Sequence, residues 1–409
     1  MSRQGPLLIV SNATRPSLVA ALDATEMLFP LIEVGWANAA RAVAEVQPVA
    51  VLAAMAGADD AEIAELSRHV AARKPYVPLI ALDPGALLPD NALPLQSNNM
   101  DGLVARLRAA LRVRTLHATV LRRLDERRAE PIGLPDTDPL DDATVLLLGR
   151  GGSYPALSVA LGERVAVVGA LSIDAAAKHL ASRDIDGVVL GEGFSRRVVD
   201  AFLTVLSDDT RFRSLAIVVT ANQPAPAQEL ANIEIISDEP ARIAARALPL
   251  IRQHALEARL NRTLRAIEAG GLLDARTGLL TRHAFARDFA AAVNQALSHG
   301  GGLAVARFAF DPAHPRAQFD GARIISRLMR RMDFGTHEDN GSVIVVFTGT
   351  DLRSAHLIVR RLSSVIRHTS HGKRDTRAEP SISVAVLQSG DTARTLLARL
   401  YSETRRVAS

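Results

Sequence analysis

"LLDARTGLLTRHAF", Leu272–Phe285, decides how the last third of this 409-residue chain is read. It is a turn that runs into an amphipathic helix, continuing through "ARDFAAAVNQALSHG". Beyond it, apolar runs and helical patterns take turns. "GLAVARFAF", "GSVIVVF" and "PSISVAVL" read as strands, and "GARIISRLMRRMD", "DLRSAHLIVRRLSSVIRHT" and "TARTLLARLYSETRR" as helices. Elements in this order predict a mixed or antiparallel sheet with helices on its faces.

Upstream of this stretch the plan differs. "PLLIVS", Leu31–Val34, "PVAVLAAM", "VPLIALD" and a weak run at Ala92–Leu95 read as strands. Helices fall between them, at Pro16–Leu28, "NAARAVAEVQ" and "DDAEIAELSRHVAARK", and a long one starts at Met100. The acidic start of "DDAEIAEL" suits the positive end of a helix dipole. A second round follows, with strands in "ATVLLLG", "RVAVVG", "IDGVVLGEG", "LAIVVTAN" and "NIEIIS" and another long helix from Pro240. Alternation of this kind predicts parallel sheets covered on both faces, so the fold expected is two doubly wound α/β domains before the third unit. The Pro- and Asp-rich "AEPIGLPDTDPLDD" is the linker between them. The boundaries are 1–128, a linker at 129–142, 143–270 and 271–409.

Both long helices carry apolar stripes. Leu103, Leu107, Leu111, Leu116, Val120 and Leu124 mark the first; Ile243, Leu250, Leu256, Leu260, Leu264 and Ile267 mark the second. Such stripes either pack on their own sheets or meet a partner, so a homodimer through the α/β units and the long helices is one expectation.

The composition narrows the function. Without cysteine there are no disulfides and no thiolate metal sites, and a reducing compartment follows. No signal peptide and no apolar stretch of membrane-spanning length is visible, so the expected location is the cytoplasm. The net charge of +4 is uneven: from Leu272 onward 20 Lys+Arg face 12 Asp+Glu. Only Lys74, Lys178 and Lys373 are lysines. Arginine suits bidentate recognition of phosphate and guanine, although a high arginine content is also ordinary compositional bias. The arginines are scattered and few aromatics lie between them, which argues against a specific nucleic-acid surface.

Asp274, Thr277, Gly278, Leu279 and Arg282 match a signature close to D-x-L-T-G-L-x-N-R, and "SISVAV" (Ser381–Val386) stands about a hundred residues on, as the strand S-I-G-V-A would. In these two markers the third unit resembles GGDEF domains; Arg276 and Thr281 depart from the pattern. The resemblance implies diguanylate cyclase ancestry, in which two carboxylates hold Mg2+ for attack of a 3′-hydroxyl on GTP. Here "DNGSV" occupies the signature turn, as Asp339, Asn340, Gly341, Ser342 and Val343. Arg307 and Ala309 stand where the strand aspartates belong, and Asp311 and Asp320 lack a partner carboxylate. The expectation is therefore no metal site, no cofactor, no catalytic residue and no cyclase activity.

One family feature is retained. An R-x-x-D inhibitory site five residues before the signature would bind cyclic di-GMP, and "RRMD" supplies Arg330 and Asp333 at that spacing. On a helix this i,i+3 pair would share a face. By the same spacing the site's second arginine falls at Arg361, with Arg360 beside it. The tetrad also occurs at Arg122/Asp125 and Arg197/Asp200, so its register carries the reading.

The front units resemble receiver domains in tandem, as in response regulators. Phosphorylation would need an acidic pair, an acceptor Asp, a Thr or Ser, and a Lys. The first unit offers "SNAT", Ala54/Met55 and Gln96; the second offers "GRGG", Gly191, Thr220 and Glu239. Only Thr220 fits, and Glu192 could mimic a charge, so neither unit has a phosphoacceptor. The combined expectation is an inactive effector that binds cyclic di-GMP and a protein partner. A ligand-independent scaffold and a divergent active cyclase are the alternatives.

Overall fold

The computed structural model describes residues 5–13, 22, 29–85, 88–96, 100–126, 133–220, 230–371, 376–377 and 379–407. Apart from Leu22, the helix expected at Pro16–Leu28 lies mostly outside them, as do Thr14, the linker residues 129–132 and Lys373.

The first unit comprises β1 (Leu7–Val10), β2 (Leu31–Val34), α1 (Trp36–Val46), β3 (Ala50–Ala54), α2 (Asp60–Ala71), β4 (Leu79–Leu82), β5 (Ala92–Leu95) and the long α3 (Met100–Glu126). Its strands pair in parallel in the order β2-β1-β3-β4-β5, the flavodoxin-like winding. Strands β1, β3 and β4 are buried along their whole length, which is why they read as unbroken apolar runs. A capping box between Asp59 and Glu62 starts α2.

The second unit comprises β6 (Thr144–Leu148), α4 (Tyr154–Gly162), β7 (Ala166–Ala170), α5 (Ile173–Ser182), β8 (Gly187–Leu190), α6 (Arg196–Asp208), β9 (Ala216–Val219), β10 (Ile233–Ile235) and the long α7 (Pro240–Glu268). The order β10-β9-β8-β6-β7 is the same winding read from the other edge. Both front units are thus doubly wound parallel α/β folds.

The third unit comprises α8 (Arg282–His299), β11 (Leu303–Ala309), α9 (Pro315–Leu328), β12 (Phe334–His337), β13 (Val343–Thr348), α10 (Leu352–Ile366), β14 (Thr369–His371), β15 (Thr376–Arg377), β16 (Ser381–Val386) and α11 (Ala393–Val407). Its sheet has the order β12-β13-β11-β16, and its strand pairs are antiparallel. One face packs on α9 and α10 through Ala304, Ala306, Phe308 and Phe347. The other packs on α8 and α11 through Val305, Val346, Leu396 and Leu400. The strand β14 leaves this domain and pairs antiparallel with β7, covering an edge of the second unit's sheet.

The long helices meet each other. Val113 and Val120 of α3 pack with Leu260 and Ile267 of α7, and Leu116, Leu124, Leu256 and Leu264 border the contact. The stripes that suggested a homodimer through the long helices are therefore covered within one chain. Arg106 of α3, 2% exposed, reaches across to Glu234 on β10 at 3.0 Å and to the Ile233 carbonyl at 2.7 Å.

The joint with the third unit is built on Asp142, the last residue of a 3-10 turn at Pro139–Asp142. Its carboxylate accepts from Arg259 of α7 at 2.9 Å and from Arg276 at 3.2 Å, while its backbone carbonyl accepts from Arg323 of α9 at 2.7 Å. Burial alone would raise the Asp142 pKa, but Arg323, Arg276 and Arg259 together hold it below the ordinary carboxylate value. Removing one partner of a buried ion cluster leaves uncompensated charge, so Asp142→Asn is expected to cost about 3–5 kcal/mol in urea unfolding. A depressed carboxyl pKa contributes stability above its unfolded value and loses it as pH falls through the folded value. The wild-type chain should therefore show a component of acid destabilisation below the ordinary aspartate range that Asp142→Asn lacks.

Candidate functional site

The hairpin at Glu338–Ser342 links β12 to β13. Gly341 N–H donates to the Glu338 carbonyl at 3.0 Å, Glu338 N–H to the Ser342 carbonyl at 2.8 Å, and Ser342 N–H to Asn340 Oδ1 at 2.9 Å. Gly341 has φ +80°, and a Cβ there would sit 2.4 Å from the Gln318 side chain of α9. The left-handed backbone favours glycine at this position, and a Cβ would also have to displace the amide end of Gln318.

Behind the hairpin stands Arg307 of β11, where the resemblance implies a metal aspartate. Its Nη2 donates to Ser342 Oγ at 2.7 Å, and its Nε lies 3.9 Å from the Glu338 carboxylate. Its guanidinium lies 5.1 Å from the centre of the Tyr401 ring on α11, and the Tyr401 hydroxyl donates to Glu338. Burial, and then the bond to Glu338, raise the Tyr401 pKa, so that hydroxyl keeps its proton. A fixed cation, a phenol and one carboxylate hold the turn together. The Arg307 guanidinium repels a second cation placed beside it, and the Glu338 carboxylate is already engaged by Tyr401.

The other candidates are dispersed. Asp311 accepts from Ala313 N–H at 2.9 Å and closes its own turn. Asp320 is buried and faces the second unit, 3.5 Å from Thr144 Oγ1 and 3.9 Å from Arg183. Ala309 ends β11 opposite Ser381. Among the described residues no group of three or more His, Asp or Glu could hold a metal ion.

The signature itself is structural. Asp274 Oδ1 accepts from Thr277 N–H at 2.7 Å and Thr277 Oγ1 at 2.6 Å, and Gly278 takes φ +76°. Leu280 N–H then donates to the Gly335 carbonyl at 2.9 Å, docking the turn on β12. The two departures from the pattern also have partners. Arg276 reaches Asp142 and lies 3.3 Å from the centre of the Phe319 ring; Thr281 caps α8 through Ala284 N–H at 3.4 Å. Of the remaining signature residues, Leu279 is buried in the core and Arg282 pairs with Asp339 in an exposed ion pair.

The R-x-x-D stretch is not helical, which corrects the expectation of a shared helix face. The helix α9 stops at Leu328, and Met329 is extended at φ −61°, ψ 149°. Arg330–Asp333 form a turn closed by Asp333 N–H to the Arg330 carbonyl at 3.0 Å. Asp333 is buried, and its Oδ1 accepts from Thr348 N–H at 3.2 Å. Burial raises its pKa despite those bonds and nearby Arg330. Arg330, and Arg361 on α10, are exposed. Among the described residues no hydrogen bond or ion pair engages the guanidinium of either. Met329 beside the turn and Ile358, three residues before Arg361, pack on the same core, so turn and α10 share one side of the sheet. Met332 and Leu357 are exposed apolar neighbours that the sequence reading passed over.

The receiver-like positions are filled by other contacts. Asn12 Oδ1 accepts from Trp36 N–H at 3.1 Å, and the buried Trp36 indole donates to the Ala54 carbonyl at 3.1 Å. In the second unit a Cβ on Gly151 would lie 2.5 Å from a Glu192 carboxylate oxygen, so Glu192 lies across the glycine loop. Thr220 donates to the Leu190 carbonyl at 3.1 Å. Gln96 is half-buried beyond β5, and Glu239 is exposed at the start of α7.

Comparison with protein-family models and with curated proteins finds no match. Solved structures similar to part of the chain include the coiled coil and GGDEF domain of DgcB from Caulobacter crescentus in complex with c-di-GMP, at 15% identity over 36% of this chain and 85% of that one, TM-score 0.32. The FimX GGDEF domain from Pseudomonas aeruginosa is 18% identical over 33% of this chain and 92% of that one, TM-score 0.30. A sensory box/GGDEF family protein from Caulobacter crescentus CB15 is 22% identical over 33% and 96%, TM-score 0.29.

Gly341→Ala is expected to cost about 1–3 kcal/mol through its left-handed backbone and the clash with Gln318. Adding Gln318→Ala should relieve only the steric part, measured as a double-mutant cycle in urea.

Proposed function

We propose that this chain is a catalytically inactive signalling protein that binds cyclic di-GMP through Arg330, Asp333 and Arg361 and presents the bound state to a protein partner. The observation that carries the reading is the pair of unengaged, exposed guanidinium groups of Arg330, in the turn that ends at Asp333, and Arg361, on the helix packed to the same side of the sheet. An arginine fork can meet guanine O6 and N7 or a phosphate, and a carboxylate can accept from guanine N1–H and N2–H. Met332 and Leu357 add apolar surface for a planar base. Inactivity is supported by Arg307, hydrogen-bonded to Ser342 where catalysis would need carboxylates around Mg2+.

Calorimetry of the full chain with cyclic di-GMP should give saturable binding in the micromolar range or tighter, weakened at least about tenfold by Arg330→Ala or Arg361→Ala, the loss of one charge-assisted contact. No heat at tens of micromolar ligand would overturn the reading and leave a ligand-independent scaffold. Because burial raises the Asp333 pKa, affinity should fall with acidification at a higher pH than for an ordinary aspartate. Asp333→Asn should remove that pH dependence. Incubation with GTP and Mg2+ or Mn2+ is expected to yield no cyclic di-GMP; measurable turnover would refute inactivity.

A further inference from the structure

A cavity of about 200 Å³ lies where α7 meets the turn that opens the third unit and the end of α9. Its wall carries Arg262 and Arg265 from α7, Arg323, Ser326 and Arg327 from α9, and Asp184 from the second unit. Arg262 is 9% exposed, and its Nε is buried with no hydrogen-bond partner. No ion pair or hydrogen bond to a described residue holds its guanidinium.

The nearby carboxylates are already engaged. Asp184 pairs with Arg327 at 2.6 Å, Asp142 with Arg259 and Arg276, and Asp274 caps its own turn. Asp186 accepts from Thr144 N–H at 2.9 Å and faces His254 at 3.2 Å. Arg323 donates to the Asp142 backbone carbonyl at 2.7 Å and, among the described residues, makes no direct ion pair, although the Asp142 and Asp184 carboxylates lie near enough to feel its charge. Two buried guanidinium groups on different helices therefore face one cavity and, among the described residues, neither has a carboxylate within ion-pair distance; Asp184, Asp186 and Asp142 act on Arg262 only from further away. Burial, then Arg323, lower the Arg262 pKa to about 10, which still leaves it charged at neutral pH. A charge buried in this way is costly unless something pairs with it.

We propose that this cavity is a binding site for a small tetrahedral oxyanion, inorganic phosphate or the end of a phosphate monoester, held between Arg262 and Arg323 with Ser326 as a hydroxyl donor. Its volume is below the roughly 300 Å³ at which pockets begin to enclose drug-sized molecules, which fits an anion rather than a whole nucleotide. Guanidinium groups are the preferred partners of phosphate oxygens. The bound anion joins α7 to α9, so it stiffens the connection between the front units and the third unit.

The test uses the full chain in chloride buffer at constant ionic strength. Calorimetry and thermal unfolding are followed with inorganic phosphate in one arm and glycerol 3-phosphate in the other. Saturable one-site binding of inorganic phosphate with a rising unfolding midpoint is expected. Binding in the first arm alone assigns the free anion, binding in both admits a monoester, and binding in neither overturns the proposal. Arg262→Met should weaken phosphate at least tenfold while leaving the anion-free chain as stable as wild type or more so. A less stable Arg262→Met chain would show that Arg262 already has its partners within the fold, which also overturns the proposal. Ser326→Asp places a carboxylate in the cavity and should abolish phosphate binding while raising the anion-free midpoint; retained binding refutes the site. Arg330→Ala should bind phosphate as wild type does, which separates this site from the cyclic di-GMP reading.

Discussion

One buried carboxylate sets the arrangement of the whole chain. Asp142 closes the linker, and three arginines converge on it from α7, from the opening turn of the third unit and from α9. None of those elements is adjacent to it in sequence: Arg259, Arg276 and Arg323 are 117, 134 and 181 residues away. A contact of that reach fixes the third unit against the second far more tightly than a flexible linker would. It also concentrates positive charge. One carboxylate balances one of three guanidinium groups, and the excess is carried toward Arg262. Ion pairs then cross the joint in both directions, Asp184 of the second unit on Arg327 and Asp320 of α9 facing Arg183.

The same use of arginine accounts for the hairpin. A metal-dependent turn is held in shape by its cation and needs acidic side chains that repel one another when the cation is absent. Arg307, Ser342, Glu338 and Tyr401 hold this turn with internal bonds instead. Gly341 and Gln318 close the space above it. The order of this turn thus comes from the protein's own side chains. Trp36 plays a similar part in the first unit, filling the strand ends with an indole bonded to Ala54.

Local pattern was legible in the sequence, and long-range pairing was not. Unbroken apolar runs announced the buried parallel strands, and Asp274, Thr277 and Gly278 announced their turn because each acts on neighbours within a few residues. The stripes on the long helices were also legible, but their periodicity says only that an apolar face needs cover. That α3 and α7 cover each other depends on how two separate sheets stack, which no spacing encodes. The helical reading of Arg330–Asp333 failed for a local reason. Met329 is extended, and the backbone bond of the turn replaces the helical one at the very end of an otherwise regular pattern. Arg276 looked like a defect in a signature, yet its function lies in Asp142, beyond the reach of any motif.

These contacts change what the arginine-rich composition means. If arginine were only a background substitute for lysine, its positions would be indifferent to guanidinium geometry. Arg106 instead serves Glu234 and a backbone carbonyl at once, and Arg259 serves Asp142 together with the Thr137 carbonyl at 2.6 Å. An ammonium group has neither the planar fork nor the weak hydration that makes such burial tolerable. Inside the protein, then, the residue type is selected by packing and hydrogen bonding. On the surface that selection does not operate, and an exposed arginine such as Arg122 needs no explanation beyond composition. Arg330 and Arg361 are exposed as well, so burial cannot account for them. What separates them from background is place: one begins a turn whose far end is a buried aspartate, the other stands on the helix packed to the same side of the sheet. Arg262 is the reverse case, buried with its Nε lacking a hydrogen bond, so the two proposals start from different kinds of arginine and stand on independent observations.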